Sequence, residues 1–187
     1  MKLHWSPRSP FVRKVMIVAH ERGLVGRLAC IRTVAATAKP HSELMQDNPL
    51  SKIPTLVLDD GMVIYDSPVI CEYLDHLSGA PKLHPAEPKA RLVALRRQAL
   101  GDGFLDMMVL LRDERMRANP SDLHKASAAV RKAAVLKSLE QEADTLAATL
   151  TEASPRLATR WRPPGSRDRI VLRPPPCGRS RAERSRR

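Results

Sequence analysis

A short extended segment (KLHW, 2–5), a helical repeat opening at Pro10 and a β-rich segment (LACIRTV, 28–34) follow one another at the start of the chain. Within the repeat, Phe11, Val15, Val18 and Ala19 recur at i, i+4, i+7 and i+8, and Gly23 is placed to stop the helix. Strand, helix, strand at this spacing is a βαβ unit, which implies parallel pairing and a right-handed crossover. A looser stretch holds at most a short helix near 41–47. TLVL (55–58) and MVIY (62–65) then flank Asp59-Asp60-Gly61, a strong hairpin signal. Residues 68–78 read as a helix with Val69, Tyr73, Leu74 and Leu77 on one side and Gly79 beyond its end. The first unit, 1–78, is therefore an α/β domain of order βαβ-ββα.

The composition changes after the proline-rich connection SGAPKLHPAEP (78–88). Helical patterns run over 89–117 and 122–152, separated by Ala118-Asn119-Pro120-Ser121, with Ser121 or Asp122 as the second cap. Val130, Ala134, Leu136, Leu139, Ala143, Leu146 and Leu150 make a wide apolar stripe. Two such helices cannot enclose a core alone and need the first unit or further helices to cover them. Gly101 and Gly103 each cost a helix about 1 kcal/mol against Ala, which makes close packing the expected reason for them. The region 89–152 is an incomplete all-α domain.

Charge is concentrated at the end. The chain carries +12, but residues 153–187 hold 11 Arg against Asp168 and Glu183, a net of +9 that leaves +3 for residues 1–152. With six Pro and one compact apolar group, Ile170-Val171-Leu172, this basic tail is expected to be disordered. Cys30, Cys71 and Cys177 are widely spaced with no CxxC pair, which offers no zinc site and fits a reducing compartment. No secretory h-region opens the chain, and no apolar run approaches the roughly 20 residues a membrane span needs. The expectation is a cytoplasmic protein with no membrane partner and no metal.

Three junctions hold the residue types that carry chemistry. Ser9, before Pro10, sits where a strand gives way to a helix, and the plain reading is an N-cap followed by proline at the first helical position. The same placement lets a hydroxyl beside free N–H groups donate to a thiolate and lower its pKa. Ile53-Pro54 precedes the TLVL strand, and fits either an edge position or a cis turn that leaves the Ile53 backbone to an extended peptide ligand. At Asp66-Ser67-Pro68, Ser67 reads as N-cap with Pro68 first in the helix, or as an anion site for a carboxylate, with Asp66 beside it to pair with an ammonium. Lys52 is either a solvated surface charge or the partner of a second carboxylate. Together these groups describe a site for a small peptide with an amino-acid head, a thiol and a terminal carboxylate, which is the shape of glutathione.

With SPFVRKV near its start and NPLSKIPTLVLDDGMVIYDSPVICEYLD downstream, the chain resembles the cytosolic glutathione S-transferase family, in particular its serine-type bacterial members. The resemblance implies a thioredoxin-like N-terminal domain over 1–78. It implies that Ser9 donates a hydrogen bond to the glutathione sulfur and that Lys52 binds the glycine carboxylate. Ile53 would pair by its backbone with the cysteinyl part, Pro54 would be cis, and Asp66 and Ser67 would hold the γ-glutamyl head. QALGDGFLDMMVLLRDE (98–114) resembles the first long helix of the family's C-terminal domain, and 122–152 the next. After about Glu152 the family's further helices are not matched. An Arg/Pro/Gly/Ser-rich ending is what truncation with a GC-rich gene read out of frame produces.

These features imply a glutathione transferase acting in detoxification, with glutathione as co-substrate, a small electrophile as second substrate and a homodimer as the family's usual state. The alternative is a non-catalytic glutathione-binding or interaction protein. Nucleic acid is expected only as a non-specific partner of the basic tail. A glutaredoxin-like reductase is disfavoured, because Ser9 occupies the place where a redox cysteine is wanted.

Overall fold

The structure is a computed structural model that describes residues 1–36, 39–79 and 81–153, with side chains through 143. The basic tail expected from 153 onward lies, apart from Ala153 itself, outside the described residues, and so does the family departure read there.

The elements are β1 (Lys2–Trp5), α1 (Pro10–Glu21), β2 (Ala29–Arg32), α2 (Ser42–Asp47), β3 (Thr55–Val57), β4 (Val63–Ile64), α3 (Ser67–Leu77), α4 (Pro88–Arg115) and α5 (Asp122–Ala153). One four-stranded sheet has the order β2-β1-β3-β4. β1 and β2 pair in parallel, from Lys2 opposite Ala29 to Trp5 opposite Arg32. β3 runs antiparallel to β1, with His4 opposite Thr55, and β4 antiparallel to β3, with Leu56 opposite Ile64. This mixed sheet with its helices is the thioredoxin-like arrangement.

Leu3 and Leu56 point into the core, which α1 closes with Val12, Val15, Met16 and Ala19 and α3 with Ile70, Cys71 and Leu74. Each fully buried Leu or Ile here stabilises the fold by about 1.5–3 kcal/mol. Both helices match the faces read from periodicity only in part: Val15, Val18, Ala19, Tyr73, Leu74 and Leu77 lie in or against the core. In α1, Val12 and Met16 are buried as well; in α3, Val69 is half exposed and Ile70 is fully buried. The reason is that PFVRKVMIVA is apolar at seven of its ten positions, so 3.6-residue spacing alone does not single out one stripe.

The turns follow from local chemistry. Gly23 (φ +67°) ends α1, and Gly61 (φ +88°) makes the β3–β4 turn, both in the left-handed region that favours glycine. Asp59 pairs with the N-terminal ammonium at 2.7 Å, and Asp60 Oδ1 accepts the Met62 N–H at 2.9 Å. At the C-cap of α1, Arg22 Nε lies 2.7 Å from Asp75 Oδ1 of α3, both side chains buried; this is ion-pair distance without hydrogen-bond alignment at that nitrogen.

The chain divides into two compact units between Lys82 and Leu83. In the second, Glu87 caps α4 by accepting the N–H groups of Lys89 (2.8 Å) and Ala90 (2.6 Å), which hold its carboxyl below the usual range. Arg96 and Arg97 of α4 pair with Glu142 of α5 at 2.5 and 2.8 Å, while Glu114 accepts the Ser121 N–H at 2.6 Å. Contacts of 96 with 142 and of 114 with 121 define an antiparallel helix pair. Ser121 Oγ accepts the His124 N–H at 3.4 Å, so Ser121 is the cap of α5. Of the stripe read in α5, Val130 is 71% exposed, Leu136 43% and Leu139 41%, Ala143 is half-buried, and Leu146 and Leu150 lie beyond the side chains described. Gly101 and Gly103 do not have the close packing expected of them, since among the described residues nothing lies within 4 Å of a Cβ built at either.

Candidate functional site

Antiparallel pairing of β3 with both neighbours brings three junctions to one end of the sheet: the exit of β1, the entrance of β3 and the exit of β4. These junctions carry Ser9, Lys52-Ile53-Pro54 and Asp66-Ser67. All six residues singled out from the sequence therefore share one sheet end.

At the exit of β1, Ser9 is the N-cap of α1. Its Oγ accepts the Val12 N–H at 3.2 Å, and Pro10 follows at the first helical position. Capping uses a lone pair of the hydroxyl; its hydrogen has no acceptor among the described residues. No acidic residue lies in the first turn of α1. Trp5, Ser6, Pro7, Val12, Arg13 and Met16 line a shallow depression with Ser9. The Arg32 guanidinium stands 6.0 Å from the centroid of the Trp5 ring.

At the entrance of β3, the Ile53–Pro54 bond is cis and Pro54 is buried. Among the described residues neither the N–H nor the C=O of Ile53 has a hydrogen-bond partner. Lys52 is exposed and no carboxylate pairs with it among the described residues. Its carbonyl is occupied: Asn48 Nδ2 donates to it at 3.1 Å and Thr55 Oγ1 at 2.8 Å. Asn48 is 1% exposed and also donates to Thr55 Oγ1 at 2.9 Å, while its Oδ1 accepts the Leu50 N–H at 3.0 Å. Asn48 and Thr55 thus tie the loop that presents Ile53. Sequence reasoning missed both; the signal was Asn48-Pro49, an Asn poised to bond its own backbone two residues on.

At the exit of β4, the N-cap of α3 is Asp66, and Ser67 is the first helical residue with Pro68 next. This corrects the assignment of Ser67 as cap by one position. The carboxylate is the better cap because Asp66 Oδ1 accepts the Ser67 N–H directly. Displaced from that task, the Ser67 hydroxyl is fully buried and has no hydrogen-bond partner among the described residues. Native proteins seldom leave a buried hydroxyl unpaired, so this one calls for an explanation.

Behind the loop lies a polar cluster absent from the sequence reading. His4 is 5% exposed and contacts Thr33 Oγ1 through Nδ1 at 2.9 Å and Asp47 Oδ2 through Nε2 at 2.8 Å. Lys2 Nζ reaches the same Asp47 oxygen at 2.6 Å. Hydrogen bonds from Lys2 and then His4 hold the Asp47 carboxyl below its usual range. Among the described residues no group of three His, Cys, Asp or Glu side chains is placed to hold a metal ion. No described helix is long and apolar enough to cross a membrane.

Residues 8–77, which span all three junctions, match the glutathione S-transferase N-terminal domain family. Among solved structures, a glutathione transferase family member from Pseudomonas fluorescens Pf-5 with bound glutathione superposes with a TM-score of 0.75 at 35% identity, over 85% of this chain and 86% of that one. The GST-like protein YibF of Escherichia coli K12 is 38% identical over 106 residues, 57% of this chain and 50% of YibF. A stringent starvation protein A homolog from Coxiella burnetii is 37% identical over 91 residues, 49% of this chain and 41% of the homolog. The chain spans half or less of the length of these two curated relatives. A match over nearly the whole of the Pseudomonas protein, on top of the domain match across the three junctions, places this chain in the glutathione S-transferase family.

Proposed function

We propose that this chain binds glutathione through the sheet end that carries Ser9, Ile53 and Ser67, and conjugates its thiolate to a small electrophile. The observation that carries the reading is the Ser67 hydroxyl, buried and without a partner at the start of a helix. A carboxylate arriving there accepts from both the Ser67 hydroxyl and N–H, and frees Asp66 to meet the ammonium on the same carbon. The cysteinyl part of the tripeptide pairs with the open N–H and C=O of Ile53, next to the cis Pro54, and Lys52 meets the glycine carboxylate.

The sulfur then lies toward Ser9, whose hydroxyl hydrogen has no acceptor. Donated to sulfur, it favours the thiolate, as does the positive end of α1, and the thiol proton leaves to solvent. The thiolate attacks the electrophilic carbon; a C–S bond forms, and the leaving group departs with its electron pair or, for an activated alkene, the neighbouring carbon takes up a proton. A cytoplasmic homodimer acting in detoxification is part of the same proposal and rests on the resemblance to the family. The bound glutathione in the Pseudomonas relative supports glutathione as the co-substrate.

A second reading, a glutathione-binding protein without turnover, is favoured by the outward apolar faces of α4 and α5. Retention on immobilised glutathione followed by turnover of several electrophiles separates the two. For the transferase, Ser9→Ala lowers kcat by about 10²-fold, the scale for removing one donor to a charged reacting atom. The same change raises the thiol pKa of bound glutathione, read from thiolate absorbance. Ser9→Asp keeps the cap but sets a negative charge against the sulfur, and is expected to fold and to be inactive. Full transfer by Ser9→Ala removes Ser9 from this role.

A further inference from the structure

Glutathione held as proposed above uses three of the four strands: its head lies at the exit of β4, its cysteinyl part at the entrance of β3 and its sulfur at the exit of β1. The exit of β2 is left over. Because β2 runs parallel to β1, with Arg32 opposite Trp5, Arg32 emerges at the same sheet end as Ser9. Two more arginines stand beside it. Arg8 lies in the loop between Pro7 and Ser9, and Arg13, one turn into α1, lines the depression that holds Ser9.

All three arginines are exposed, and among the described residues no carboxylate pairs with any of them. Residues 5–14 and 29–36 contain no Asp or Glu. Asp66 stands at the exit of β4, two strands away from β1. The sheet end is thus divided by charge: an acid on the β4 side, unpaired cations on the β1–β2 side. Between those cations the depression has an apolar floor, with Val12 and Met16 buried and the Trp5 ring half-buried under the Arg32 guanidinium. Such a floor suits a short carbon chain, and the guanidinium fork of Arg13 at its edge suits a carboxylate, which can accept two parallel N–H bonds.

We propose that the second substrate is an electrophile carrying a carboxylate, which Arg13 binds while Arg8 and Arg32 add to the positive field around it. Arg13 is then a specificity-determining residue. The inference rests on the glutathione reading above and names the substrate class of that same site. A cation is needed here for a further reason: a carboxylate brought beside a thiolate is repelled by it, and Arg13 offsets that repulsion. With an α,β-unsaturated acid, the thiolate bonds to the β-carbon and the π pair moves to the α-carbon, which takes a proton from solvent. The carboxylate stays on Arg13 throughout.

The test measures binding of two glutathione adducts to the full chain by calorimetry at pH 7. One is S-(2-carboxyethyl)glutathione; the other is S-(2-carbamoylethyl)glutathione, its neutral amide of the same shape. The acid is expected to bind about tenfold tighter than the amide, the lower end for a hydrogen bond to a charged group because Arg13 is exposed. Arg13→Gln brings the ratio close to one, and Arg32→Gln, which acts from behind the Trp5 ring, lowers it by less. Equal affinities in the wild type, or a preference that survives Arg13→Gln, overturns the proposal. So does an equal loss of both adducts in that variant, which would assign Arg13 to the tripeptide itself. Binding of the amide adduct without preference for the acid leaves the glutathione reading standing and removes this one; if neither adduct nor glutathione binds, both fail.

Discussion

The two units of the chain use apolar residues in opposite ways. In Met1–Lys82 they form a closed core, with Leu3, Val15, Leu56, Ile70 and Leu74 all at 0% exposure. In the pair α4–α5, Leu111 and Ala128 are buried while Leu92, Leu110, Met116, Leu123 and Val130 are each more than 60% exposed. The first unit has what it needs to hold a site at a sheet end. Charged and backbone contacts, such as Arg97–Glu142 and Glu114–Ser121, join the two helices. A closed core and, among the described residues, an open helix pair thus lie in one sequence, and substitutions read the difference directly.

The largest contrast comes from truncating apolar side chains. Ile70→Ala leaves a cavity in a packed core and is expected to destabilise the first unit by about 2–5 kcal/mol. Leu123→Ala removes a side chain that is 77% exposed and is expected to stay within about 0.5 kcal/mol. Urea unfolding of the two variants measures both. Equal losses would mean that α5 is buried against something in solution, and the contrast between the units would collapse.

The same contrast explains what was legible in the sequence. The order βαβ-ββα was readable because strand and helix periods alternate and Asp59-Asp60-Gly61 marks the hairpin. The faces of α1 and α3 were legible only in part, because adjacent apolar pairs such as Phe11-Val12 and Val69-Ile70 leave the choice to tertiary packing, which placed Val12 and Ile70 inside. Ser9, Lys52, Ile53, Pro54, Asp66 and Ser67 could be singled out because turn and cap chemistry is local. The supports His4 and Asp47 were missed because they meet across 43 residues, which no local pattern signals, whereas Asn48 and Thr55 went unread although Asn48-Pro49 carried a local signal. Gly101 and Gly103 misled for the converse reason: their cost was visible in the sequence, the open space around them was not.

Glycines give a smaller and signed version of the comparison. Gly61→Ala puts a Cβ where φ is +88° and is expected to cost about 1–2 kcal/mol, the penalty for an L-residue in left-handed backbone. Gly103→Ala adds a Cβ to helical backbone in open space and is expected to stabilise α4 by up to about 1 kcal/mol. Thermal melts of the two variants should move in opposite directions. A fall in both would show that the face of α4 at Gly103 is closed by a contact made in solution.

The smallest effect is electrostatic and belongs to the helical unit. Hydrogen bonding from Arg97, with the Arg96 charge beside it, holds the Glu142 carboxyl below its usual range. A depressed carboxyl stabilises the folded state above its unfolded value, about 4.3, and loses that contribution as pH falls through the folded one. Glu142→Gln is therefore expected to lower the helical melting temperature slightly at pH 7 and to match the wild type once acid has protonated Glu142. Salt should erase the difference at neutral pH in the same way, since Arg96 is 68% exposed and the pair is open to screening. A deficit that survives both acid and salt would mean that Glu142 contributes by packing, and that α4 and α5 share a more closed interface than their outward leucines indicate.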